Sequence, residues 1–71
     1  MNDNQKEALE AIAFWAEMAL EGAKGALKEG KADAYDLFTF RSAARGIKAY
    51  RRVYIEWENH CKNLDKEVSN E

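Results

Sequence analysis

Residues 40–61 read FRSAARGIKAYRRVYIEWENHC, and the spacing of their apolar side chains decides what kind of molecule this is. Phe40, Ala43, Ile47, Tyr50, Tyr54, Trp57 and Cys61 step by three and four, and Leu64 and Val68 keep the same step beyond them. This is the heptad seam of a long helix with one apolar side. It predicts a helix over about residues 40–68, roughly 29 residues and 43 Å long.

A partner for that seam lies upstream. Residues from about 5 to 28 are rich in Ala, Leu, Glu and Lys, all strong helix formers, and Asp3 or Asn4 is placed to cap their first amides. This helix, roughly 24 residues and 36 Å, carries Leu9, Leu20 and Leu27 alternating with Ala13, Ala16 and Ala23. Ile12, Ala19 and Ala26 widen the stripe. A surface made mostly of alanine is low, and broad side chains such as Tyr50, Tyr54 and Trp57 need a low surface to lie on. The expectation is an all-α protein built as an antiparallel helical hairpin.

Gly30 is placed to end the first helix in the left-handed conformation, and Asp33, with Asp36 three residues on, can cap the next. Leu37 and Phe38 fall off the following seam, so the expected arrangement is a separate short helical turn at 33–38, with Thr39 capping the long helix.

A chain of 71 residues forms one domain, here residues 1–71, and a domain of that size buries only about 60% of its unfolded surface. One cysteine and no proline leave helix packing, a metal or self-association as sources of stability, and helix packing is the easiest of these to see. Ile12, Trp15, Ala19 and Val53 add apolar surface beside the two seams, so the hairpin is expected to pack as a homodimeric bundle or on a larger partner. Eleven basic and thirteen acidic side chains balance to a formal charge of −2, which sets no strong field toward nucleic acid or an anionic membrane. The first residues lack the pattern of a signal peptide, and no apolar run approaches the roughly 20 residues of a spanning helix. A soluble, cytoplasmic protein without a membrane association is expected.

Two exposed features compete as functional surfaces. Arg41, Arg45, Lys48 and Arg52 fall within an arc of about 60° opposite the aromatic seam, and Asn59, Asn63 and Lys66 continue the line. Such a ridge can bind a polyanion through its backbone charges, but no aromatic residue interleaves to stack on bases, and charge runs on long helices are usually solvated faces. On the first helix, Phe14 projects among Glu7, Glu10, Glu17 and Glu21, with Met18 beside it. An apolar anchor ringed by charge has the layout of the centre of a protein-binding patch. Phe14, Glu10, Glu17, Glu21 and Met18 are therefore the preferred candidate for contact with a larger protein.

Chemistry is not indicated. Glu56 and His60 lie four apart beside Cys61, but the cysteine belongs to the seam and the remaining pair does not complete a metal site. Gly22, Gly25 and Gly46 are scattered within helices and cradle no phosphate, although Gly46, at the edge of the seam, permits close approach of another helix. No nucleophile with a partner base is present, and neither a cofactor nor a metal is expected. In general build the chain resembles small helical adaptors and the small phage or mobile-element proteins that block host machinery, which implies action by contact.

Overall fold

The computed structural model describes residues 1–69, with side chains through Lys62. It is an antiparallel pair of helices, α1 at Asp3–Glu29 and α2 at Ala34–Ser69, joined by four residues. Expected seam residues Leu64 and Val68, and ridge residues Asn63 and Lys66, lie outside the described side chains.

Both helix starts are built by reciprocal capping. At α1 the cap is Asn2, not Asp3 or Asn4: its Oδ1 accepts from the Gln5 amide at 2.8 Å, and Gln5 Oε1 accepts from the Asn2 amide at 3.1 Å. The glutamine at the third helical position explains the choice, because only from Asn2 can a capping box close on it. At α2 the same device joins Asp33 and Asp36, at 2.8 and 3.1 Å. Gly30 ends α1 with φ 86°, its amide bonded to the Ala26 carbonyl, as expected.

The break expected at 33–38 does not occur. Helix α2 is continuous from Ala34, and Thr39, expected to cap it, is buried inside it against α1. A threonine hydroxyl small enough for the interface and a sufficient cap at Asp33 remove any need for a second start. Leu37 and Phe38 are off the seam, and they remain exposed on the surface of the helix.

Four contacts set the register between the helices. Gly22 meets the Phe40 ring, Gly46 meets the Trp15 indole, Gln5 Nε2 donates to Glu58 Oε2 at 2.9 Å, and Asn2 Nδ2 donates to Cys61 Sγ at 3.5 Å. Partners that are distant from the turn on one helix are equally distant on the other. Helix α2, at 36 residues against 27, runs on past the start of α1, so the longer helix outreaches its partner as the spacing predicts.

On α2 the expected seam is the one used: Ala43 is buried, and Phe40, Ile47, Tyr54, Trp57 and Cys61 are half-buried, while Tyr50 stays exposed at its edge. On α1 only the flank of the expected stripe, Ile12, Ala19 and Ala26, meets α2, with Ala23 half-buried beside it, while its leucines do not. Leu9, Ala13, Ala16, Leu20 and Leu27 are exposed, and Leu27 keeps 83% of its surface in solvent. The residues that face α2 are each one position earlier: Ala8, Ile12, Trp15, Ala19, Gly22 and Ala26, led by the buried Gln5. One position is a rotation of about 100°. Ile12, Trp15 and Ala19, together with Val53 of α2, are therefore half-buried within the hairpin itself.

The rotation has a steric cause. With leucines between them the helix axes stand apart, whereas Ala8, Ala19, Gly22 and Ala26 let the backbones close. The one large side chain on this seam, Trp15, then needs a hole, and Gly46 supplies it: a Cβ at Gly46 would lie 2.5 Å from Trp15 Cδ1, well inside contact distance. The buried Gln5 fits the same phase because its amide is satisfied at both ends, by Asn2 and by Glu58. A hydrogen bond to a carboxylate in such a place contributes about 1.5–3 kcal/mol.

Candidate functional site

Phe14 lies on the outer face of α1, away from α2. Phe14 is 57% exposed, Met18 is exposed beside it, and Glu7, Glu10, Glu17 and Glu21 are all exposed around them. Phe14, Glu17, Met18 and Glu21 line a shallow hollow of about 240 Å³. The patch is acidic and carries little internal pairing; Glu21 reaches Lys24 at 4.0 Å, one turn along and in full solvent.

What the sequence does not show is how the anchor is held. Phe14 packs edge-on against Trp15, ring centroids 5.5 Å apart and planes at 75°. Trp15 in turn is locked over Gly46 of the other helix. The exposed ring therefore stands on an interhelical interlock, which limits the freedom it loses on meeting a partner. A signal for the interlock is present in the sequence: Trp15 and Gly46 are nearly equidistant from the turn at Gly30–Asp33, so an antiparallel hairpin sets the largest side chain opposite the smallest residue.

Arg41, Arg45, Lys48 and Arg52 are exposed on the far side of α2, again as placed by their spacing. Arg51, which lies off the ridge by about 100° of arc, joins Arg45, Lys48, Ala49 and Arg52 around a hollow of about 460 Å³. Its contribution was not legible from spacing alone, because long side chains reach across the helix surface. Among the described residues none of these cations is ion-paired.

Glu56 and His60 are exposed, and the imidazole stacks edge-on against Trp57, 5.3 Å between centroids. Cys61 is taken by Asn2. Among the described residues no group of three His, Cys, Asp or Glu side chains is placed to hold a metal ion, and no helix is long and apolar enough to cross a membrane.

A further apolar hollow of about 350 Å³ lies near the turn, lined chiefly by Ala23, Ala26, Leu27 and Phe40. It opens on the side of the hairpin that carries Leu9 and Leu20, away from Phe14. The described residues thus present, among others, an acidic patch with an aromatic anchor, a basic outer ridge and a leucine stripe. No family model, curated protein or solved structure matches this chain, so these surfaces are the basis for a functional reading.

Proposed function

We propose that this is a non-enzymatic cytoplasmic protein that acts by binding a larger protein, as an adaptor or an inhibitor, with Phe14 as its anchor. Glu10, Glu17, Glu21 and Met18 form the surround, and the partner it fits has an apolar pocket rimmed by lysines or arginines. The observation that supports this reading is the support beneath the anchor: an exposed aromatic ring braced by Trp15 on Gly46. Held aromatic residues at the centre of a patch can contribute about 2 kcal/mol or more to an interface. A basic, nucleic-acid-handling protein is the kind of target such a patch would occupy, which is consistent with the way small phage and mobile-element proteins disable host machinery.

The test is capture from lysate on the immobilised chain, with Phe14→Ala and the triple reversal of Arg41, Arg45 and Arg52 to Glu run in parallel. Circular dichroism first establishes that both variants fold. The captured partner should be lost on Phe14→Ala, with affinity falling about 30-fold or more, while the reversals change little beyond association rate. Retention by Phe14→Ala together with loss on arginine reversal overturns the reading. It would favour the second one, polyanion binding by the hollow among Arg45, Lys48, Arg51 and Arg52, whose mark is affinity that falls steeply with salt.

A further inference from the structure

Helix α1 carries two apolar seams, and only one is used within the chain. The unused one, Leu9, Ala13, Ala16, Leu20, Ala23 and Leu27, runs the length of the helix in unbroken steps of four and three, with only Ala23 partly covered. It is turned from the inner seam by about 100°. A helix in a square four-helix bundle meets its two neighbours on faces about 90° apart, so α1 has the two faces of a bundle helix and one neighbour.

We propose that the missing neighbour is α1 of a second copy of this chain, antiparallel to the first. The stripe is self-complementary in that orientation: with a two-fold axis beside residue 18, Leu9 of each copy lies opposite Leu27 of the other, Ala13 opposite Ala23, and Ala16 opposite Leu20. Charge agrees. Before the axis carboxylates dominate, at Asp3, Glu7, Glu10 and Glu17 against the single Lys6, whereas beyond it Lys24, Lys28 and Lys31 outnumber Glu21 and Glu29. Antiparallel pairing sets the acidic part on the basic part and brings Glu10 level with Lys24 and Lys28 of the other copy; parallel pairing sets like on like.

The second helices follow. The register within the hairpin puts Ala44 of α2 level with the two-fold axis, so Phe40 of one copy lies near the level of Ile47 of the other. Both are half-buried residues on the side of α2 that faces the same way as the leucine stripe. The hollow beside Phe40 and Leu27 then lies inside the bundle.

The stripe leaves Leu9, Leu20 and Leu27 at 41%, 51% and 83% exposure, and a specific dimer takes about 800 Å² from each partner. The Phe14 patch faces away from this interface and stays open, so the dimer presents it twice.

Sedimentation equilibrium on the full chain should give a dimer at micromolar concentration, and Leu20→Glu, beside the axis, should give a monomer that keeps its helical circular dichroism. Orientation is read by disulfide trapping in a Cys61→Ser background. Leu9→Cys and Leu27→Cys chains should each fail to cross-link alone and should form a mixed disulfide when combined. A monomeric parent, a Leu20→Glu variant that still dimerises, or chains that each cross-link to themselves would overturn the proposal.

Discussion

The two faces of α1 differ in a way opposite to hydrophobicity. The face with three leucines is open to solvent, while the face with alanines, a glycine and one tryptophan is closed against α2. In a two-helix protein the closed face is the one that lets the backbones approach and gives its largest side chain a hole. Leucines suit a different neighbour, one whose axis can stand further off. Burial here follows shape, and the transfer energy of individual side chains comes second.

That contrast can be broken most severely at Trp15. Trp15→Ala removes the knob and leaves a gap over Gly46, and its expected cost is about 3 kcal/mol. Leu27→Ala, on the open face, should cost under about 1 kcal/mol when measured at concentrations where the chain is a monomer. Urea midpoints of the pair check this, and equal losses would mean that both faces are packed within one chain.

Next in size is Gly46→Ala. Helix propensity favours alanine by about 1 kcal/mol, but the new Cβ collides with a rigid indole and overpacking costs about 1–3 kcal/mol. A net loss of about 1 kcal/mol or more is expected in thermal melts, and it should shrink when Trp15 is already alanine. Gly22→Ala is the control, since its Cβ would lie 3.1 Å from a Phe40 ring at the open edge of the hairpin, free to yield by the small distance required. It should be close to neutral.

The polar end of the interface is expected to respond by a similar or smaller amount. Gln5→Ala opens the capping box at Asn2 and leaves Glu58 without its donor, a loss of about 1–2 kcal/mol in stability. Smallest is Gly25→Ala, whose Cβ would meet nothing within 4 Å and which should gain about 0.5–1 kcal/mol by chain stiffening alone. At Gly30, with φ 86°, the same substitution should lose about 1 kcal/mol.

Much of this was legible in the sequence. The seam of α2 is drawn by large residues at Phe40, Ile47, Tyr54 and Trp57, with polar residues on the opposite side, so its phase is unambiguous. Helix α1 has alanine at 8, 11, 13, 16, 19, 23 and 26, on both sides of any line drawn along it. Its apolar pattern is then nearly the same in two phases, and three leucines tip the reading toward the wrong one. Local polar geometry was the better guide: the capping box of Asn2 and Gln5 and the burial of the glutamine belong to the inner phase. The exposure of Phe14 was readable because Glu10 and Glu17, one turn to either side of it, exclude it from a core in either phase. The role of Trp15 beneath it was not, since that depends on which residue of the other helix it meets.

The most direct test of the rotated interface is a proton NMR measurement of contacts between the helices. Nuclear Overhauser cross-peaks are expected from the Trp15 indole protons to the Gly46 α protons, with none from the Leu20 methyls to Gly46. Cross-peaks from Leu20 or Ala16 to Gly46 within one chain, with the Trp15 ring silent toward α2, would contradict the account at its base.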